Sequence, residues 1–265
     1  MRILGVHGVG NLRQGEPPGQ AAANLASVWR RALPADLAPD LAMTYYADLL
    51  APRGRPGSLD ELAQDEAALA MAWLHLLGLP ETVPAGSPGS RPRQGIAWLA
   101  ERRGLDTLHL EWFVHRLFRD VGAYLRGPRE AVHARFTAAF ERHAPQVVIA
   151  HSLGSVVAYE ALWADPSLRV DLLITLGSPL ALPGAVFPRL RPAPVDGRGA
   201  RPPGVGRWIN LADRGDLVAI PPGGVARRFA GVERDEELNV HWADFHRAAN
   251  YLATDTLAGA LRDQA

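Results

Sequence analysis

Short apolar runs alternate with helix-like patterns along this chain, and that alternation restricts its fold more than any other feature. The runs are Ile3–Val6, Leu41–Tyr46, Val147–Ala150, Leu172–Leu176 and Trp208–Leu211, with a weaker one near Arg228–Val232. Near-continuous apolar runs of this length suit strands covered on both faces. Helical patterns fall between them at Ala21–Leu33, Leu153–Ala164 and His246–Leu261. Strands alternating with helices predict an α/β chain with a mostly parallel sheet in a three-layer α/β/α sandwich.

Two stretches break the alternation. About a hundred residues separate the second run from the third, where a parallel crossover needs roughly a dozen or more. This insert, about residues 50–140, carries apolar helical patterns at Leu59–Leu79 and Leu105–Leu125 and reads as a helical cap. The second break, residues 183–206, is a loop rich in Pro, Gly and Arg. Strand patterns resume after each break, so a single domain over residues 1–265 is expected.

Composition removes several kinds of chemistry. The 28 basic residues are all arginines and balance 28 acidic ones. Without a basic surplus, nucleic acid and anionic membranes are not expected partners. The absence of lysine excludes a lysine nucleophile, a Schiff base and a P-loop lysine. The absence of cysteine excludes disulfides, thiolate metal sites and a cysteine nucleophile. The opening "MRILGVHG" enters a strand pattern directly, with no signal-peptide pattern, and the longest uncharged stretches do not suit a bilayer span. A soluble cytoplasmic protein without an integral membrane segment is the expectation.

The chemistry concentrates in "VVIAHSLGSVVAYEAL", residues 147–162, where a strand pattern becomes a helix pattern at Ser152. An abrupt strand-to-helix corner holds its serine in a strained conformation and pushes the hydroxyl above the carboxyl edge of the sheet. Strand and helix nearly touch there, so the residues two before and two after must be small. Ala150 and Gly154 fill those places. The new helix aims free N–H groups at the corner, Leu153 N–H first. A serine nucleophile also needs a base and an acid to orient that base. Past the run at 208–211 lie Asp213 and Asp216, and the histidines that follow them are His241 and His246. The earlier histidines show no metal-ligand spacing, and neither metal nor cofactor is expected.

The motif Ala-His-Ser-Leu-Gly resembles the nucleophile elbow of the α/β-hydrolase superfamily, with Ala150 in place of the usual first glycine. That resemblance implies the chain order Ser, Asp, His. It favours Asp216, followed by Leu217-Val218, as the acid and His246, followed shortly by Tyr251-Leu252, as the base. Asp213 and His241 are the runners-up. "HGVGN" at residues 7–11 resembles the family's His-Gly oxyanion motif, which assigns Val9 N–H as second oxyanion donor beside Leu153, with Gly8 as runner-up. His7 itself is expected to be structural. "LLITLGSPL", 172–180, resembles the strand ending in Gly-Ser-Pro that borders a lipase-like pocket, with Ser178 hydrogen-bonding near the site or simply turning the chain.

The resemblance implies a carboxylic ester hydrolase of lipase or esterase type acting on a small-molecule or lipid acyl substrate. The same residues also suit a thioesterase, amidase, peptidase or acyltransferase, or a binding protein that kept the fold without the chemistry. Trp73, Trp98, Trp112, Phe113 and Phe118 in the insert either line an apolar pocket or simply fill a core.

Overall fold

Six strands hydrogen-bond side by side in the order β2-β1-β3-β4-β6-β8, every neighbouring pair parallel. They are β1 (Arg2–Val6), β2 (Asp40–Thr44), β3 (Val147–His151), β4 (Val170–Leu176), β6 (Val205–Asp213) and β8 (Arg234–Leu238). A separate parallel ribbon pairs β5 (Gly199–Ala200) with β7 (Phe229–Ala230). The helices are α1 (Pro18–Ala32), α2 (Ala47–Leu50), α3 (Gln64–Leu76), α4 (Ser90–Arg103), α5 (Thr107–Arg126), α6 (Arg129–His143), α7 (Leu153–Ala164), α8 (Gly224–Arg228), α9 (Ala248–Leu252) and α10 (Asp255–Arg262). This computed structural model describes residues 1–37, 39–50, 62–81, 90–220, 223–240 and 246–264.

The period-2 geometry of the strands divides the core between two faces. Ile3, Val147, Ile149, Ile174 and Ile209 point to one face and pack with α1, α9 and α10 through Leu25, Trp29, Leu252 and Leu257. Leu4, Val6, Val148, Ala150 and Leu173 point to the other, where α6 and α7 cover them with Val132, Phe136, Val156 and Val157. The insert joins that second core. Leu69, Trp73 and Leu74 of α3, Leu99 of α4, and Leu110, Val114, Leu117 and Phe118 of α5 are all buried in it. Trp73 and Phe118 are therefore core residues, meeting edge to face, and Trp73 donates its indole N–H to the Leu217 carbonyl at 2.6 Å. Trp112 is 55 % exposed and Trp98 is half-buried. Among the described residues, no helix is long and apolar enough to cross a membrane.

Three expectations need correction. The weak run near Arg228–Val232 is not a strand of the main sheet. It contributes only the two residues of β7, and the outer sheet position goes to β8, "RDEEL". An edge strand open to solvent carries charge readily, because its side chains are not sealed in a core. Arg234 pairs with Glu236, and Arg214 with Glu237. The pattern His246–Leu261 folds as two helices, α9 and α10, because the Thr254 hydroxyl caps the second by accepting Leu257 N–H at 3.3 Å. The stretch 183–206 is not loop throughout. It holds a 3₁₀ turn at Phe187–Arg189, and β5 and the first residues of β6 fall within it.

Candidate active site

Three parallel strands end at one edge of the sheet and carry the site on the turns that follow them. After β3 the chain reverses at Ser152, whose φ of 55° and ψ of −130° are strained for any residue with a β-carbon. Close packing enforces the corner. A β-carbon on Gly154 would stand 2.3 Å from the Val6 carbonyl oxygen and 2.5 Å from that of His7, so α7 begins almost in contact with the end of β1. Hydrogen bonds secure the rest. Ser152 N–H donates to Leu176 at 2.9 Å, and the Ser155 hydroxyl donates to the Ser152 carbonyl at 2.6 Å. Ser178 lies 2.7 Å from Ser155 Oγ, and its own Oγ accepts Leu180 N–H. Ser178 thus braces the corner through Ser155, a residue to which the sequence reading gave no part.

The Ser152 hydroxyl is 2.7 Å from Nε2 of His246. Nδ1 of His246 is 2.8 and 2.9 Å from the two oxygens of Asp216. An ionised carboxylate only accepts, so the ring proton sits on Nδ1 and Nε2 is left to accept the serine proton. Asp216 is buried and held from several sides. Its Oδ1 accepts N–H groups of Val218 at 2.8 Å and Ala219 at 3.4 Å, and its Oδ2 accepts the Tyr251 hydroxyl at 2.6 Å. Burial, together with the Asp216 charge, pushes the Tyr251 hydroxyl far above the usual phenol range, so it stays a donor. Gly177 fits beside this array at φ 53°, where a β-carbon would stand 2.6 Å from Asp216 Oδ2 and 3.3 Å from His246 Cε1. Tyr251 and Gly177 both lie in stretches that the sequence reading singled out, yet nothing local to them signals this contact.

The runner-up Asp213 is placed differently. Asp213 accepts the N–H groups of Gly215 at 3.4 Å and Val240 at 3.2 Å, an Asx-turn arrangement that ties β6 to the end of β8. His241 lies outside the described residues.

The turn after β1 closes over the serine. A β-carbon on Gly8 would be 2.6 Å from Ser152 Cβ, so only glycine fits at this approach. The Gly8 carbonyl is taken by Asn11 Nδ2 at 3.0 Å and by His7 Nδ1 at 2.8 Å. In a trans peptide the Val9 N–H points opposite to that carbonyl. Neither the Val9 nor the Leu153 N–H meets a protein acceptor among the described residues, whereas Gly10 N–H is taken by Asp120 at 3.0 Å.

His7 fixes this turn as a neutral ring. Its Nε2 accepts the backbone N–H of Tyr46 at 3.2 Å, so Nδ1 carries the proton and donates to Gly8. Burial pushes its pKa down to about 4. Burial foremost, then the neighbouring His246 and His7, also holds His151 well below the usual imidazole range. The unfolded chain takes up protons between pH 6.5 and 4 that the folded chain refuses. Stability is therefore complete above about pH 6.5 and falls on acidification, by roughly 3 kcal/mol from His7 across this window. Urea midpoints followed from pH 7 to 4 are expected to drop, and to drop less steeply in His7→Gln. Equal slopes in the two proteins would remove His7 from this account.

A cavity of about 610 Å³ abuts the site. Gly8, His151 and His246 face it, with apolar walls from Leu25, Trp29 and Phe113. Phe113, from the insert, meets His246 edge to face at 5.6 Å between ring centres. Ser152 itself is 0 % exposed and lies behind these residues. Compared with family models, with curated proteins and with solved structures, the chain matches none. What the site does therefore rests on its own chemistry.

Proposed function

We propose that the chain is a serine hydrolase of the α/β-hydrolase fold that cleaves a carboxylic ester. The observation that carries this reading is the unbroken hydrogen-bond chain Ser152–His246–Asp216, anchored on a strained strand-to-helix corner. The close packing of Gly154 against Val6 and His7 holds that strained corner, and the corner aims a hydroxyl at an imidazole nitrogen.

In this mechanism His246 Nε2 removes the Ser152 proton as Oγ bonds to the ester carbonyl carbon. The carbonyl π electrons move onto oxygen. The N–H groups of Leu153 and Val9 meet that oxyanion, each worth roughly 10²–10³ in kcat. Asp216 holds the tautomer and stabilises the imidazolium without taking its proton. The intermediate then collapses, the C–O bond to the alcohol breaks, and His246 protonates the leaving oxygen. A water molecule, deprotonated by His246, attacks the acyl-serine; the acyl–Oγ bond then breaks, His246 returns the proton to Ser152 Oγ, and the acid is released. Because Ser152 is covered in this arrangement, the substrate enters only when the Gly8 turn, His246 or Phe113 shifts aside.

A fluorophosphonate probe tests the chemistry directly. Labelling confined to Ser152, abolished in Ser152→Ala, is the expected result, with the label located by mass spectrometry of the digested protein. The burial of Ser152 favours a second reading, a binding protein that retains the fold but not the reaction. An unlabelled, fully folded protein that also fails to turn over p-nitrophenyl esters would establish that reading instead. Fast cleavage of an amide or thioester, with ester turnover slow at every acyl length, would keep the nucleophile and replace the substrate class.

A further inference from the structure

One wall of the cavity belongs to α5. His109, Trp112, Phe113 and Arg116 fall at helical spacing i, i+3, i+4 and i+7 and all face the cavity. Leu110 and Val114 between them, and Leu117 just after, point into the core. One helix thus presents an apolar stripe to the protein and a second stripe, ending in a cation, to the cavity.

Arg116 is set up unlike the other arginines near the site. Its guanidinium lies over the Trp112 ring at 5.0 Å, and its Nε is buried without a hydrogen-bond partner. It pairs with no carboxylate among the described residues. The nearest acid along its face of the helix, Asp120, is already engaged by Gly10 N–H at 3.0 Å and by Arg119 at 3.1 Å. Among the described residues no aspartate or glutamate lines the cavity, and Arg247 lines it beside His246. Stacking on an indole face leaves the in-plane N–H edge of a guanidinium free to donate. A buried N–H without an acceptor costs free energy that a bound anion recovers.

The position of Arg116 relative to the serine is also fixed. A β-carbon on Gly8 would touch Ser152, and one on Gly10 would stand 2.9 Å from Arg116 Nε. The α-carbons of Gly8 and Gly10 are at most about 7 Å apart. We propose, resting on the ester-hydrolase reading above, that the substrate is an anionic ester, and that Arg116 binds its carboxylate or phosphate a few bonds from the scissile carbonyl. The apolar walls take the hydrocarbon part. Arg116 is then the residue that determines specificity, through a hydrogen-bonded ion pair that no neutral ester can make.

Two matched pairs test this and separate the two anions. 4-Nitrophenyl hemiglutarate is compared with 4-nitrophenyl valerate, and 1-decanoylglycerol 3-phosphate with 1-decanoylglycerol. The wild-type protein at low salt is expected to favour the anionic member of at least one pair in kcat/KM, by about tenfold to a hundredfold. The advantage falls in KM. It shrinks as salt is added, collapses toward unity in Arg116→Gln and survives in part in Arg116→Lys. Binding of the same pairs to Ser152→Ala, by calorimetry, requires no turnover. It is expected to show the same preference and to lose it when Arg116→Gln is added. Ser152-dependent turnover with no anionic preference in either pair, or a preference unmoved by Arg116→Gln, overturns the proposal and leaves the hydrolase reading intact. Binding preference without any turnover does the reverse.

Discussion

Ser152→Ala, His246→Ala and the double variant are expected to lower kcat for an activated ester by the same factor, roughly 10⁴–10⁶. The effects do not add, because the hydroxyl and the imidazole act as one unit: without the ring the serine is a poor nucleophile, and without the serine the ring has nothing to deprotonate. Asp216→Asn is expected to cost about 10⁴ while leaving the fold intact, since an amide can present N–H to Nδ1 and turn the tautomer around. Five hydrogen bonds converge on Asp216, from His246, Tyr251, Val218 and Ala219, so its removal reorients the ring as well as removing a charge. Stability is expected to move the other way at the corner. Ser152→Gly relieves the strain at φ 55° and should raise the unfolding free energy by about 1–2 kcal/mol while abolishing turnover. Urea denaturation beside a rate assay measures both. Additive losses in the double variant would show that Ser152 is not coupled to His246, and a Ser152→Gly protein less stable than the parent would show that Ser152 is not held under strain.

The parts of this molecule that were legible in its sequence are those set by burial over short distances. β1, β3 and β4 are covered on both faces, so each reads as a nearly continuous apolar run, and the expected and observed strands differ by only one or two residues at their ends. The helix Leu153–Ala164 begins and ends where its pattern does. β8 escaped because the edge of a sheet makes no such demand on its residues. The division between α9 and α10 escaped because a single hydroxyl cap at Thr254 decides it within an otherwise continuous apolar periodicity.

The site divides in the same way. Ser152, Asp216 and His246 could be placed because each sits in a local motif, and the structure brings the three within hydrogen-bond distance. Tyr251, Ser155, Gly177 and Arg116 could not, because their parts arise only from contact with chain far away in sequence. Gly177 meets Asp216, for example, because β4 and β6 are paired neighbours whose ends coincide. His151 belongs to the same group: it is the neighbour of Ser152 in sequence, yet its tilted ring contact with His246, 4.7 Å between centres, depends on a residue 95 positions later.

Gly154→Ala is expected to be the most damaging single-methyl change at the candidate site. The added carbon would lie 2.3 and 2.5 Å from two backbone carbonyl oxygens, at Val6 and His7. Neither can swing away as a side chain would, because Val6 is held in the sheet by β2 and β3 and the His7 carbonyl accepts the Tyr46 hydroxyl at 2.6 Å. The start of α7 must therefore retreat from β1. Overpacking against side chains typically costs about 1–3 kcal/mol, and against fixed backbone the upper end of that range is expected. The same retreat separates Ser152 from Gly8 and Val9, so the proposed nucleophile and one proposed oxyanion donor move apart. A misplacement of about 1 Å is enough to lower the rate roughly a hundredfold. Gly259→Ala is the matched control. Gly259 lies in α10 with nothing within 4 Å of the added methyl, and alanine there should stabilise the protein by about 0.5–1 kcal/mol through helix propensity and a less flexible unfolded chain. Urea midpoints displaced in opposite directions, with kcat lost only in Gly154→Ala, are the expected pair of results. A Gly154→Ala protein with parental stability and rate would mean that strand and helix do not meet at this corner, and the strained serine would lose its structural cause.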